Sequence, residues 1–306
     1  MKIILAQHFG LCFGVRDAIA QAEQLAHHAP LTILGELVHN PVVRERLRAR
    51  GVAEAPLDHI SGIGILPMKH GLEAHATPAR VMITAHGASD FKREMWSAAG
   101  FDVVDGTCPL VRHAHEQLRQ LVGAGYFPVV IGQAGHVEVR GLTEDFPGAI
   151  VVDCPADVRN LPQRDRYGVI SQTTQRIEQV HQLVVEIRAL NPDAEVRFVD
   201  TVCQPTKNRQ LALQGLMAEA EMIVVVGGRA SNNTRQLVAS SRAAGRRTVH
   251  VERPEELRPA DFDGIEVVGL TAGTSTLRET VAAVQERLEE ISSAQISKTN
   301  KNKSKS

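Results

Sequence analysis

Short runs of apolar residues, many of them β-branched, recur along the chain and end at a glycine. The first is LTIL at positions 31–34, the second is PVVI at 128–131 and the third is MIVVV at 222–226. Each run follows a stretch with helical character and precedes a polar loop. Runs that are apolar at every position, instead of alternating, are typical of parallel strands buried on both faces. The pattern predicts an α/β protein with parallel sheets.

A second apolar strand follows in each interval and also ends in a polar loop. These second loops carry His86, Thr173 and Ser275, whereas the loops after the first strands carry polar residues at 39–40, at 136 and 138, and at 231–233. In parallel α/β sheets, ligands bind beyond the carboxyl ends of the strands. We therefore expect the polar loops to form the ligand-binding region.

Three cysteines divide the chain at equal intervals. Cys12 and Cys108 are 96 residues apart, and Cys108 and Cys203 are 95 apart. The glycine that ends the next apolar run lies 23, 24 and 24 residues after its cysteine. A constant period with matching internal features indicates a structural repeat. The simplest arrangement is three similar α/β units around a pseudo-threefold axis, on which the three cysteines converge.

The repeat also predicts the boundaries of the units. The first α/β unit covers residues 1–107, the second covers 108–199, and the third covers 200–290 and includes a C-terminal helix. The tail 291–306 is polar, basic and low in complexity, so we expect it to be disordered.

Composition and charge limit the class of protein. The formal net charge is −1, with basic and acidic residues mixed along the sequence, so no large field of one sign would attract nucleic acid or a membrane surface. No apolar run is long enough to span a membrane. Four cysteines without a CxxC pair argue for thiols in a reducing compartment, and hence for a cytoplasmic protein. Cys154 lies outside the repeat, and we expect it to be a small buried residue.

Three converging thiolates without a fourth ligand leave an open coordination position, as a reactive metal site requires. Zinc with a bound water would act as a Lewis acid, whereas a [4Fe–4S] cluster held by three cysteines would expose one iron and also deliver electrons. Neither the ligand type nor the spacing distinguishes the two.

The polar loops favour an anionic ligand. Hydroxyl, amide and imidazole groups can each donate a hydrogen bond to a phosphate oxygen, so a diphosphate fits this set of side chains. The candidates are His39, His86, His136, Thr173, Ser231, Asn232, Asn233 and Ser275. Glu138 follows His136 closely. A carboxyl beside an anionic ligand can have its pKa raised and act as a proton donor.

The motifs around these residues resemble the 4-hydroxy-3-methylbut-2-enyl diphosphate reductases, the IspH or LytB family. In chain order they are GLCFGV, GELVHNP, AHG, DGTCPLV, GHVEV, SQTT, DTVCQPTKNRQ and TAGTS. They span about residues 1 to 290 in the order that is typical of the family, which makes the resemblance far more specific than a single short pattern.

The resemblance implies a trefoil of three α/β units around a central [4Fe–4S] cluster, with Cys12, Cys108 and Cys203 as ligands and one open iron. It implies that Glu138 supplies protons, and that the eight polar residues named above bind the substrate's diphosphate and hydroxyl groups. The reaction would convert this allylic diphosphate to isopentenyl and dimethylallyl diphosphate, the last step of the non-mevalonate (MEP) pathway of isoprenoid biosynthesis. Ferredoxin or flavodoxin would donate the electrons.

Several positions depart from the family pattern, while the cysteines and Glu138 are unchanged. The departures are Leu11, Asp17, Val137, Arg140, Leu142, Ala230, Asn232 and Leu277, together with a segment at about 64–80 that looks longer than usual. They keep two alternatives open. One is a diverged paralogue that reduces another allylic diphosphate, and the other is a metal- or ligand-binding sensor without redox chemistry.

Overall fold

The computed structural model describes residues 1–58, 60 and 78–303, with side chains described up to residue 295. Its strands are β1 (Lys2–Leu5), β2 (Leu31–Leu34), β3 (Ala53–Ala55), β4 (Arg80–Ile83), β5 (Asp102–Asp105), β6 (Phe127–Ile131), β7 (Ile150–Val152), β8 (Arg166–Ser171), β9 (Glu195–Phe198), β10 (Met222–Val226), β11 (Arg247–Val251) and β12 (Val267–Ala272). The strands predicted from the apolar runs are β2, β4, β6, β8, β10 and β12, and all six are confirmed.

The helices are α1 (Phe13–His28), α2 (Pro41–Ala49), α3 (Asp90–Ala98), α4 (Pro109–Gly123), α5 (Val137–Glu144), α6 (Pro155–Arg159), α7 (Ile177–Leu190), α8 (Gln204–Glu219), α9 (Asn232–Ala243) and α10 (Arg278–Lys303). One helix begins directly after each repeat cysteine, as predicted: α1 after Cys12, α4 after Cys108 and α8 after Cys203. In the part of the chain that the structure describes, no helix has the length and apolar character needed to cross a membrane.

The strands form three four-stranded sheets with the orders β3-β2-β4-β5, β7-β6-β8-β9 and β1-β12-β10-β11. Neighbouring strands in these sheets are parallel. The three sheets share one topology, because the strand that leads into a cysteine always lies at an edge, beside the second apolar strand. This confirms the α/β class and the threefold repeat.

The strand β1 differs from the predicted unit boundaries. It precedes Cys12, within the segment 1–107 predicted as the first unit, but it pairs with β12 in the third sheet. In the other two sheets, the equivalent edge strand is supplied by the residues before the next cysteine. The last unit has no following cysteine, so the N-terminal strand occupies this position.

The chain divides into two compact bodies. The terminal body comprises Met1–Cys12, His39–Pro41 and Gln204–Ser306, and the central body comprises Phe13–Val38 and Val42–Cys203. The terminal body contains the sheet β1-β12-β10-β11. One face of this sheet packs on α10 through Val224 and Val226, and the other packs on α8 and α9 through Ile223 and Val225. Burial of alternate residues on opposite faces explains why β10 is apolar throughout.

The central body contains the other two sheets. In the sheet β7-β6-β8-β9, Val129 and Val169 pack on α7, while Val130 and Ile170 pack on α4 from the opposite face. In the sheet β3-β2-β4-β5, Trp96 of α3 packs with Val81 and Ile83 of β4. Both sheets thus place the carboxyl ends of their strands where helices begin.

The C-terminal tail and the segment at about 64–80 were both singled out in the sequence. The helix α10 continues to Lys303, through most of the tail predicted to be disordered. The sequence after Leu277 contains neither glycine nor proline, so nothing in it favours an end to the helix. The segment at about 64–80, expected to be longer than usual, lies outside the described residues up to position 77.

Candidate active site

The three repeat cysteines are held by equivalent main-chain hydrogen bonds. Each cysteine N–H donates to the carbonyl oxygen two residues beyond the end of β4, β8 or β12. The bonds run from Cys12 to Thr274 (3.1 Å), from Cys108 to Ala85 (3.0 Å) and from Cys203 to Thr173 (2.9 Å). All three cysteines are partly buried thiols outside disulfides. The repeat therefore gives each cysteine the equivalent position in its own unit, where a helix begins beside the carboxyl end of a strand.

A glycine in α1 makes room for the Cys108 sulfur. Gly14, in the first turn of α1, comes so close that a Cβ atom there would lie 2.3 Å from the Cys108 sulfur. Any larger residue would therefore displace this sulfur. Thiolates are the ligands that iron–sulfur clusters use, so the residues fit such a group. Among the described residues, no three histidine, cysteine or carboxylate side chains are grouped to bind a single metal ion.

Glu138 is a buried acid of the central body whose pKa is strongly raised. Its side chain is 2% exposed, and Oε1 accepts a hydrogen bond of 2.6 Å from the Thr173 N–H. Burial raises the pKa of Glu138 to about 7, although hydrogen bonds from the main chain and side chain of Thr173 act in the opposite direction. The Thr173 carbonyl in turn accepts the Cys203 N–H bond. Thr173 thus links Cys203, a predicted metal ligand, to a carboxyl that can hold a proton at neutral pH.

Two histidines lie beside this carboxyl. His136 is the N-cap of α5, and its Nδ1 accepts the Glu138 N–H at 3.2 Å. Because Nδ1 accepts, the ring proton is carried on Nε2. The rings of His86 and His136 meet edge to face, with centroids 5.7 Å apart. The central body therefore brings His86, His136, Glu138 and Thr173 together, as the sequence predicted for neighbouring loops.

The loop that carries His86 is fixed by its packing on α5. Gly87 has φ +81°, and a Cβ atom there would meet Thr107 at 3.1 Å. Ser89 donates a 2.7 Å hydrogen bond to Glu144 at the end of α5. The neighbouring Asp145 accepts the Asp90 N–H at 2.8 Å. One helix thus carries His136 and Glu138 at its start and holds the His86 loop at its end.

The terminal body holds the remaining polar candidates. Ser275 Oγ donates to the His39 carbonyl at 3.4 Å, and the Asn40 amide donates to the Ser275 carbonyl at 2.6 Å. A Cβ atom on Gly228 would lie 2.1 Å from the His39 carbonyl oxygen, so only glycine permits this approach. The loops at His39, Gly228 and Ser275 therefore form one cluster.

The start of α9 completes this cluster. Ser231 is the N-cap and accepts the Thr234 N–H through Oγ at 3.4 Å. Asn233 Oδ1 accepts the Thr274 N–H at 3.0 Å, and Asn232 Oδ1 accepts a 3.4 Å bond from Gln236. All three side chains are buried. They stand where a helix N-terminus favours an anion, but part of their hydrogen-bonding capacity serves the fold itself.

Four of the departures from the family pattern pack in the core or form ion pairs. Leu142 and Leu277 are buried in the apolar core. Arg140 forms ion pairs with Asp58 (2.7 Å) and Glu144 (3.4 Å), and Asp17 pairs with Arg16. The expectation for Cys154 was wrong, because this residue is exposed at the start of α6. Its neighbour Pro155 begins the helix at the surface, so the thiol faces solvent.

Sequence reasoning did not single out two buried polar residues of the terminal body. Asn40 is 3% exposed and binds Ser275, and Arg209 of α8 is 5% exposed. Arg209 lies on the helix face that also carries the buried Leu213 and Leu216. The signal was present in the sequence, because a charged residue in an apolar stripe at helical spacing requires a partner.

Comparisons with known proteins agree with this picture. The family model for LytB protein matches residues 3–289. A 4-hydroxy-3-methylbut-2-enyl diphosphate reductase from Geobacter metallireducens is 34% identical over 299 residues, which cover 97% of this chain and 100% of the relative. The reductase of the same name from Aquifex aeolicus is 33% identical over 302 residues, covering 97% and 99%.

Two solved structures share the fold. The E-1-hydroxy-2-methyl-but-2-enyl-4-diphosphate reductase from Plasmodium falciparum superimposes with a TM-score of 0.82 at 24% identity, over 92% of this chain and 86% of that one. An (E)-4-hydroxy-3-methyl-but-2-enyl diphosphate reductase, described as the terminal enzyme of the non-mevalonate pathway, gives a TM-score of 0.63 at 33% identity, over 95% and 100%. With a family model matched over nearly the whole chain, the protein belongs to the LytB family.

Proposed function

We propose that the protein reductively dehydroxylates (E)-4-hydroxy-3-methylbut-2-enyl diphosphate to isopentenyl diphosphate and dimethylallyl diphosphate. This is the last step of the non-mevalonate pathway, and it makes the protein an iron–sulfur oxidoreductase. Relatives that match almost the whole chain carry the name of this activity. The observation that carries the proposal is the buried, protonatable Glu138, which is linked through Thr173 to Cys203.

The reaction sets clear chemical requirements. The C–O bond of the substrate's hydroxymethyl group breaks, two electrons enter, and two protons are taken up. One proton leaves with the hydroxyl oxygen as water, and the other is added to carbon. The protein must therefore bind a diphosphate, supply electrons and deliver protons away from bulk water.

Cys12, Cys108 and Cys203 would hold a [4Fe–4S] cluster with one open iron. When bound, this cluster supplies electrons one at a time and an open iron that polarises the substrate's hydroxyl group. The equivalent main-chain bonds at the three cysteines support this assignment, because they present three thiolates in the same way. The electrons would come from a small redox protein, ferredoxin or flavodoxin. A protein with four thiols outside disulfides suits the reducing cytoplasm, where we place it.

Glu138 would be the proton donor. A general acid works best when its pKa lies near the working pH, and the pKa of about 7 at Glu138 meets this condition. The carboxyl's hydrogen bond to Thr173 fixes its direction. His86 and His136, which contact each other, would donate to the diphosphate and keep water out of the space beside the carboxyl.

The neutral side chains would bind the diphosphate. Hydrogen bonds to charged groups contribute about 1.5–3 kcal/mol each, so a few donors suffice without fixed positive charge. The proposed ligand-binding residues are His39, His86, His136, Thr173, Ser231, Asn232, Asn233 and Ser275. The buried start of α9 adds a favourable dipole for an anion.

Anaerobic purification followed by turnover with a chemical reductant tests the proposal. We expect about four iron and four sulfide per chain, and conversion of the named substrate to both products. Cys108→Ala should lose the cluster, while Cys154→Ala, which removes an exposed cysteine outside the repeat, should retain it. A metal-free or zinc-containing protein would favour the sensor alternative. A loaded protein that reduces only other allylic diphosphates would favour the paralogue.

A further inference from the structure

The guanidinium of Arg93 lies between two loops of the central body. Arg93 belongs to α3. The His86 loop comprises residues 84–89, between β4 and α3, and the Cys108 loop comprises residues 106–108, between β5 and α4. One loop carries a proposed substrate ligand and the other carries a proposed cluster ligand. A side chain that binds both loops therefore sets the spacing between these two residues.

On the His86 loop, Arg93 binds a main-chain oxygen. Its Nε donates to the Ala88 carbonyl at 3.3 Å, and its Nη2 donates to the same oxygen at 3.1 Å. Ala88 is buried and follows His86 by two residues. Asp90, one turn earlier on α3, has its carboxylate 3.7 Å from Nε. Two nitrogens of the guanidinium thus hold the loop at one point.

On the Cys108 side, Arg93 binds two side chains. Nη1 forms an ion pair with Asp105, the last residue of β5, and Nη2 donates to the Thr107 hydroxyl at 3.2 Å. The Asp105 carboxylate also accepts the Thr107 hydroxyl and, at 3.0 Å, the Thr107 N–H. Burial acts to raise the pKa of Asp105, but the hydrogen bonds from Thr107 and the charge of Arg93 outweigh it and lower this pKa. The residue next to Cys108 is therefore held by both members of the ion pair.

The main chains of the two loops also meet. The Cys108 N–H donates to the Ala85 carbonyl at 3.0 Å, and the Gly106 N–H donates to the Ile83 carbonyl at 3.0 Å. A Cβ atom on Gly106 would lie 2.5 Å from the Ile83 carbonyl oxygen, so the loops are in close contact here. Arg93 adds a side-chain bridge to these main-chain bonds.

We propose that Arg93 is a positioning residue whose planar guanidinium fixes the spacing of His86 and Cys108, and so aligns the substrate with the iron–sulfur cluster. The inference rests on the proposed function, because it takes His86 to bind the diphosphate and Cys108 to be a cluster ligand. The N–H donors of a guanidinium point in fixed directions, so one side chain reaches acceptors on both loops. Small displacements of reacting groups lower rates steeply. Loss of the bridge should therefore slow turnover more than it weakens substrate binding.

Hydrogen exchange and steady-state kinetics of the loaded protein test the bridge. In Arg93→Gln, amide exchange in peptides that cover 84–89 and 105–108 should become about tenfold faster, as expected for the loss of a hydrogen bond to a charged group. The value of kcat per bound cluster should fall about tenfold, while KM stays within about threefold. A change in fold stability alone would leave kcat per bound cluster unchanged.

Arg112→Gln is a matched control, because Arg112 shares the Asp105 partner. Its Nη2 is 3.3 Å from both the carboxylate and the carbonyl of Asp105, on the Cys108 side, and its side chain is 54% exposed. We expect exchange in the His86 loop and kcat to match the wild type. Equal effects of Arg112→Gln and Arg93→Gln would overturn the bridge, since they would reduce it to the loss of a charge beside Asp105.

Arg93→Lys keeps the inference testable if the glutamine variant fails to fold or to load. Lysine retains the charge beside Asp105, but it lacks the planar set of donors, so kcat per cluster should fall as it does in Arg93→Gln. Thr107→Val should also lower kcat, whereas Thr107→Ser, which retains the hydroxyl, should match the wild type. Wild-type kcat and exchange in Arg93→Lys would overturn the positioning role. A wild-type protein that binds no cluster would instead refute the proposed function.

Discussion

The central and terminal bodies carry different kinds of candidate residue. In the central body, His86, His136 and Glu138 all carry ionisable side chains, and the Glu138 carboxyl is almost completely buried. In the terminal body, apart from His39, the candidates are neutral hydroxyls and amides tied to the main chain, such as Ser275 and Asn233. The threefold repeat thus supplies one scaffold, on which the proposed proton donor lies in the central body, while the terminal body offers mainly neutral donors for the proposed diphosphate site.

The same contrast applies to the residues that support the cysteines. The carbonyl that holds Cys203 belongs to Thr173, whose N–H binds Glu138. The carbonyl that holds Cys12 belongs to Thr274, whose N–H binds Asn233. Equivalent positions of the repeat therefore connect one cysteine to an acid and another to an amide. Substitution of the proposed acid and substitution of a proposed anion-binding residue should consequently change different kinetic parameters.

The largest effect should come from Cys108. In Cys108→Ala, we expect no cluster and no detectable turnover, because a ligand common to every catalytic step is lost. Iron content and the visible absorbance of the anaerobic protein measure this directly. The exposed Cys154→Ala should match the wild type, and equal iron content in both variants would remove Cys108 from the ligand set.

Glu138→Gln should reduce kcat by about 10²- to 10⁴-fold, the usual contribution of a positioned general acid. The amide retains shape and a hydrogen-bond acceptor for Thr173, so KM should change little. Glu116→Gln offers a matched control, since it alters an exposed carboxylate of α4. Steady-state kinetics under anaerobic conditions would show the difference. A larger change in KM than in kcat would assign Glu138 to binding.

Ser275→Ala should raise KM about tenfold. This factor corresponds to the lower end of the free energy that a hydrogen bond to a charged group contributes. The value of kcat should stay within about threefold, since a hydroxyl that only binds the diphosphate moves no proton. The exposed Ser293→Ala on α10 serves as the control. A fall in kcat as large as that of Glu138→Gln would contradict a role for Ser275 in binding alone.

Asn232→Ser should have the smallest effect, with KM within about threefold of the wild type. The Asn232 side chain accepts a long hydrogen bond, 3.4 Å from Gln236, and a hydroxyl would restore the pattern typical of the family. Competition assays with several allylic diphosphates would check this expectation. A tenfold or greater gain in kcat/KM would show that Asn232 directs the protein towards another substrate.

The repeat itself could be predicted from the sequence, because the period of the cysteines and the six apolar strands are local signals. The partner of β1 could not, since a four-residue strand carries no information about which sheet it joins. The same holds for the bond between Arg209 and Gly10, which joins residues far apart in sequence. Burial of Cys154 was predicted wrongly because residue type alone does not specify exposure.

For the candidate site, the sequence identified residue types at equivalent loops, but it could not specify their hydrogen bonds. Nothing in the motif GHVEV shows that the Glu138 carboxyl binds the Thr173 main chain 35 residues later. The role of Asn40, which joins its loop to Ser275, likewise depends on a contact across 235 residues. Such contacts follow from packing of whole elements, which the local pattern does not determine.

The pH dependence of kcat is the most direct test of Glu138 as the proton donor. Burial raises the pKa of Glu138 to about 7, and a bound diphosphate would move it further upward, since negative charge disfavours ionisation. The acid is active while protonated, so kcat of the wild type should be constant at low pH and fall about tenfold per unit above a midpoint at or above about 7. The low kcat of Glu138→Gln should not show this fall. The same alkaline decline in both proteins would contradict the assignment of proton transfer to Glu138.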